Sequence, residues 1–207
     1  MKTSIKKGRH IQAIVLIALL VAVSSFTIIL EVQKLVVESN HSTVQFSVPI
    51  SNGITRITGK FTDYTIDIDY VDKDFTKSTI STTIKVESIN TGIAGRDDHL
   101  RTKDFFDVET YPHITFTSDR IEKQGEGYIA YGDFTMHGIT KKIEFPFTVT
   151  GVDGENTIGI QSRLTINRME YGVGSDFQHS SMDNFLGEDI GVEIDFWTKK
   201  KKEKKKE

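Results

Sequence analysis

The chain has 207 residues, of which 37% are hydrophobic, and a formal net charge of −3, enough for one domain with a sizeable core plus tails. The charge is uneven: residues 1–10 carry +4, residues 199–207 carry +5, and the body between 40 and 198 carries −11, which excludes a nucleic-acid binder relying on clustered cations. There is no cysteine, so disulfides, thiolate metal sites and lipid-modified cysteines are excluded.

In chain order, Lys2, Lys6, Lys7 and Arg9 precede Ile11–Leu30, twenty residues without a charge. A helix of that length spans roughly 30 Å, the hydrocarbon thickness of a bilayer, and its basic flank stays cytoplasmic. Two readings stand: a signal peptide cut after the small residues near Ala22-Val23-Ser24, or an uncleaved signal anchor in residues 11–30. Either sends the body out of the cytoplasm, to the periplasm or a comparable space. Residues 1–39 are accordingly leader plus linker.

From residue 40 the dominant period is two. Val44, Phe46 and Val48 share a face, as do Ile66, Ile68 and Tyr70, and then Ile80, Ile84 and Val86 with Thr82 among them. Later runs are Ile114 and Phe116, Tyr128 to Phe134, Ile143 to Val149, Ile158 to Ile166 and Ile190 to Phe196. Such alternation belongs to antiparallel strands with one wet and one dry face. Asn52-Gly53, Gly125-Glu126-Gly127 and Asp153-Gly154 mark turns. Eight or nine strands of this kind curl into a barrel or split into a sandwich, and closure removes the exposed edges. Pro146 interrupts the Phe145–Phe147 run and predicts a bulge or a local gap in pairing. Thr82, Ser118 and Ser162 fall on the dry face, where they either bond to backbone in a filled core or border open volume.

The irregular stretch Thr91–Ser118 crowds Arg96, Asp97, Asp98, His99, Arg101 and Asp104 with Phe105 and Phe106. It has room for a short helix around 95–108, and Ser175–Leu186 has room for a second. His99 beside Asp97 reads on paper as a base with an orienting carboxylate, but no nucleophile or metal accompanies it. The alternative reading is a hydrogen-bond and ion-pair network, with Arg96, Asp97, His99 and Arg101 fastening one barrel end. Arg168 is expected to pair with acidic residues of this stretch. His41, His99, His113, His137 and His179 lack metal-ligand spacing. The Lys-rich residues 199–207 read as a disordered tail, with anionic head groups as a weaker candidate partner.

Several segments resemble the bacterial YceI-like proteins: His41-Ser42-Thr43-Val44-Gln45-Phe46, Ser88-Ile89-Asn90-Thr91-Gly92 and Arg96-Asp97-Asp98-His99-Leu100. Phe105-Phe106-Asp107, Tyr111-Pro112-His113-Ile114-Thr115-Phe116, Gly132-Asp133-Phe134-Thr135 through Lys141 and Asn167-Arg168-Met169-Glu170-Tyr171-Gly172 continue the same order. The resemblance implies an all-β fold, an extended eight-stranded antiparallel barrel of lipocalin-like form with one or two short helices over residues 40–198, here preceded by the N-terminal hydrophobic helix. It also implies a non-catalytic carrier of a long polyisoprenoid or similar amphiphile, with no metal and no cofactor beyond a bound isoprenoid or quinone-like ligand.

On that reading Phe46, Ile84, Phe116, Phe134, Phe145, Phe147 and Leu164 line the lumen, while Arg96, Asp97, His99, Arg101 and Arg168 sit at the mouth. The partners expected are the lipid and, through an uncleaved leader, the membrane; a homodimer is left open. The rivals are a small-molecule enzyme centred on His99 and Asp97, and a filled barrel that binds nothing.

Overall fold

The computed structural model describes residues 30–180, 182 and 185–202. The leader reading for residues 11–30 and the last five residues of the tail lie outside them, Leu30 apart. Among the described residues no helix is long and apolar enough to cross a membrane.

Eleven strands follow in order among the described residues: β1 Val32–Val37, β2 Thr43–Ile50, β3 Thr55–Phe61, β4 Tyr64–Val71, β5 Asp74–Lys85, β6 Ile89–Asn90, β7 His113–Gln124, β8 Gly127–Met136, β9 Ile139–Asp153, β10 Thr157–Asn167 and β11 Asp189–Lys200. Every pairing is antiparallel, and the sheet order β1-β4-β5-β7-β8-β9-β10-β11 closes through β1 on β11. The shorter strands are continuations. The 3₁₀ turn Ser39–His41 breaks one long strand into β1 and β2, both paired to β11, and Val86–Ser88 does the same between β5 and β6. With β3 and β4 likewise one interrupted strand, the barrel has eight staves.

The barrel begins at Val32, inside the stretch read as linker, and Lys199 and Lys200 belong to β11 rather than to a tail. Leu35 is 1% exposed, so β1 buries a face like any other stave. Among the described residues one α-helix, α1 Ala94–Arg101, and a 3₁₀ turn at Arg168–Tyr171 lie at one end. The second helix for which 175–186 has room does not form among the described residues, where only turns and isolated bridges occur.

The interior divides lengthwise. At one end Tyr70, Phe75, Tyr128 and Phe147 stack at ring-centroid distances of 4.8–5.3 Å over Leu35, Ile68 and Ile158. Each such aromatic pair adds about 0.5–1.5 kcal/mol beyond burial, and together they plug the tube. Toward the other end the inward residues Phe46, Phe134, Phe145 and Leu164 stay half-buried although their register points them inside. Their uncovered surface borders an internal cavity.

The wall is incomplete at two places. β9 pairs with β10 only from Thr148↔Gln161 to Asp153↔Thr157; no ladder pair joins β9 before Thr148 to β10 after Gln161. Pro146 stands on this edge, still opposite Ile129 of β8, so the expected gap falls on the β10 side. Its carbonyl points across the gap and accepts Ser162 Oγ at 2.6 Å. The second break lies between the start of β5 and the end of β7, where Ser118 Oγ accepts the Ile80 N–H at 2.8 Å beside a bulge. Gly132 faces that bulge: a Cβ there would collide with the Thr117 carbonyl oxygen.

Candidate functional site

The cavity has a volume of about 340 Å³ and runs from the aromatic plug to the end covered by α1. All seven residues expected on the lumen wall border it: Phe46, Ile84, Phe116, Phe134, Phe145, Phe147 and Leu164. Reading alternation alone would also have given Val44, Ile114, Ile143, Val192 and Ile194, which complete the same rings. Phe116 and Phe145 stack at 5.2 Å, so part of the wall is a continuous aromatic surface.

The inward hydroxyls separate. Ser118 and Ser162 are 5% and 2% exposed and bond to backbone, as in a filled core. Thr82 borders the cavity, and its hydroxyl makes no hydrogen bond among the described residues. It places one donor and acceptor on a mostly apolar wall.

The mouth is built from α1 and the loops around it. Asp97, 7% exposed, accepts the Thr91 N–H at 2.8 Å and Thr91 Oγ1 at 2.5 Å, which ties the first turn of α1 to the strand end. Arg96 donates to Thr91 Oγ1 and to the Thr91 carbonyl at 2.7 and 2.9 Å. Arg101 donates to the carbonyls of Glu87 and Ile89 and to Asp98 Oδ1, all at 2.9–3.0 Å. These bonds hold α1 across the opening, with Leu100, Phe105 and Phe106 turned to the cavity.

His99 does not pair with Asp97. Its Nε2 lies 2.9 Å from Asp104 Oδ2, a carboxylate past the helix end, and its ring meets Phe105 edge-on at 5.1 Å. Residues two apart on a helix point about 200° away from one another, so the base-and-carboxylate pairing is geometrically absent. Among the described residues, no three of His, Cys, Asp and Glu converge as metal ligands.

Arg168 also departs from expectation: among the described residues it meets no carboxylate of the 91–118 stretch. Its guanidinium, 7% exposed, donates to the carbonyls of Val173, Gly174, Leu186 and Gly187 at 2.7–3.3 Å. Burial draws its pKa below the ordinary arginine value, opposed by the charge of Glu188. Four carbonyls that no strand uses are thereby satisfied by one planar fork. Gly174, at φ +62°, is required because the Phe105 ring lies where its side chain would stand. Loop, arginine and α1 thus lock together over the mouth.

Closed antiparallel staves, a plug at one end, a fastened cover at the other and a hollow apolar middle define a small β-barrel with an internal chamber. The chain belongs to the YceI-like domain family, which matches residues 35–197. It is 34% identical over 110 residues to the UPF0312 protein plu2095 of Photorhabdus laumondii, a match covering 53% of this chain and 57% of that one. Among solved structures it is similar to Burkholderia cenocepacia BcnA, with TM-score 0.69 and 22% identity over 78% of this chain and 98% of that one. A polyisoprenoid binding domain from Saccharophagus degradans superposes with TM-score 0.64 and 16% identity, covering 81% and 98%.

Proposed function

We propose that this chain is a non-catalytic binding protein that holds a long-chain polyisoprenoid or similar amphiphile in its barrel lumen. The observation that carries the reading is the 340 Å³ chamber, walled by half-buried inward phenylalanines and aliphatics. That volume falls at the low end of small-molecule pockets, suited to a slender chain. Each 100 Å² of apolar surface that a bound chain removes from water contributes about 2.5 kcal/mol. No reacting group is needed for tight binding. The Saccharophagus degradans domain of the same architecture is a polyisoprenoid binding domain, which supports the reading through the shared fold alone. The uncharged segment 11–30 behind four basic residues supports action outside the cytoplasm.

The test is to purify the full chain natively, extract it with organic solvent and analyse the extract by mass spectrometry, then offer polyprenyl lipids to the delipidated protein. A prenyl lipid in the extract, or stoichiometric uptake, is the expected result. An extract without lipid together with no uptake overturns the proposal.

A further inference from the structure

We infer that the bound lipid enters and leaves sideways, through the seam between β9 and β10, and not through the covered mouth; this rests on the lumen reading above. The seam borders the chamber directly. Ile143 and Phe145 on the β9 side and Leu164 and Ile166 on the β10 side all line the cavity. Between Ser162 and Asn167 six residues of β10 have no β9 partner, a length of roughly 20 Å at the usual strand rise.

The two routes differ in what each must break. Opening the mouth means parting α1 from the carbonyls held by Arg101 and stripping four carbonyls from the buried Arg168. Charge-assisted bonds of that kind are the costly ones, and a buried guanidinium left unpaired costs more. Opening the seam breaks no ladder bond, because none is there. It parts Ser162 from the Pro146 carbonyl at 2.6 Å, His137 Nδ1 from the Tyr171 carbonyl at 3.0 Å and the exposed ion pair Lys141–Glu170 at 2.8 Å, and shifts Tyr171 from its edge-on contact with Phe134. An exposed ion pair contributes little. Pro146 also contributes no N–H to that edge, so the two strands cannot zip shut there.

The second break in the wall gives an internal contrast. Between early β5 and late β7 the space behind the gap is filled by Phe75, Tyr128 and Ile121, which lie outside the cavity lining. It opens onto packed core and offers no passage.

The chain has no cysteine, so a pair can be introduced cleanly. The full chain is loaded with radiolabelled geranylgeraniol, and its release into excess phosphatidylcholine vesicles is timed. Ser162→Ala and Glu170→Gln, which loosen the seam, are expected to speed release roughly two- to tenfold, the loss of one or two bonds of that strength. Ile143→Cys with Leu164→Cys, bridged by oxidation or a short bis-maleimide, is expected to slow release at least tenfold against the same protein unbridged. Arg101→Ala, which loosens α1, is expected to leave the rate unchanged. Release that quickens in Arg101→Ala and ignores every seam variant overturns the lateral route while leaving the lumen reading intact. A wild-type chain that takes up no geranylgeraniol overturns the lumen reading and the lateral route with it.

Discussion

Replacing Arg168 by Met keeps most of the side-chain stem in place and removes the guanidinium alone. Four carbonyls, those of Val173, Gly174, Leu186 and Gly187, then lose a charged donor inside a site only 7% exposed. Hydrogen bonds to charged groups are worth about 1.5–3 kcal/mol each, but they are not additive, and water reaches part of a relaxed loop. The comparable loss, one partner of a buried charged network, runs at about 3–5 kcal/mol, and we expect that range. In a domain of this size it corresponds to a melting temperature lower by about 6–20 °C. Urea unfolding monitored by the circular dichroism of the barrel reads it directly as the change in midpoint at constant slope. Arg168→Lys restores the charge but not the fork, so it should recover less than half of the loss. A loss below about 1 kcal/mol in Arg168→Met would refute the fastening role. Unchanged stability with lost lipid uptake would assign Arg168 to the ligand instead.

Three further outcomes follow from particular contacts. Gly132→Ala forces a methyl onto the Thr117 carbonyl and the Ser118 Cα and should cost about 2–3 kcal/mol; an unmoved urea midpoint would contradict the close approach. Phe75→Ala, in the plug, should cost about 3–5 kcal/mol, whereas Phe145→Ala, already half uncovered toward the chamber, should cost less than half as much; equal losses would mean that the middle of the tube is packed. Glu38, which accepts the His41 N–H and faces His41 Nδ1 at 2.9 Å, has its carboxyl lowered to about 2, chiefly by that hydrogen bond. A depressed carboxyl stabilises fully above its unfolded pKa near 4.5 and loses the effect as pH falls toward 2. The stability gap between wild type and Glu38→Gln should therefore narrow from pH 5 to pH 2, and a gap that widens on acidification would reverse the sign.

Much of the wall could be read in advance because period two decides the face of every strand residue. Phe134, Phe145 and Leu164 needed nothing else to be placed inward. Which half of the tube is hollow was not legible. That depends on rings meeting across the barrel, and Phe75 reaches Tyr70, Tyr128 and Phe147 from other staves. The strand Val32–Val37 was hidden by its position, directly after an apolar segment and cut from β2 by a three-residue turn. The mouth was half legible. Its crowded charges do fasten the end, but their partners are mostly hydroxyls and backbone carbonyls, which carry no charge pattern. His99 finds Asp104 rather than Asp97 because the chain turns back after α1, and Arg168 finds carbonyls 5–19 residues further on. The seam left one trace in the sequence, Pro146.

The most direct measurement is native mass spectrometry of the full chain offered a polyprenyl lipid, beside Thr82→Phe, which fills the chamber at the inward Thr82 hydroxyl. A lumen binder gives one lipid per wild-type chain and none on the filled variant. No lipid on the wild type, or equal lipid on both proteins, would contradict binding inside the barrel.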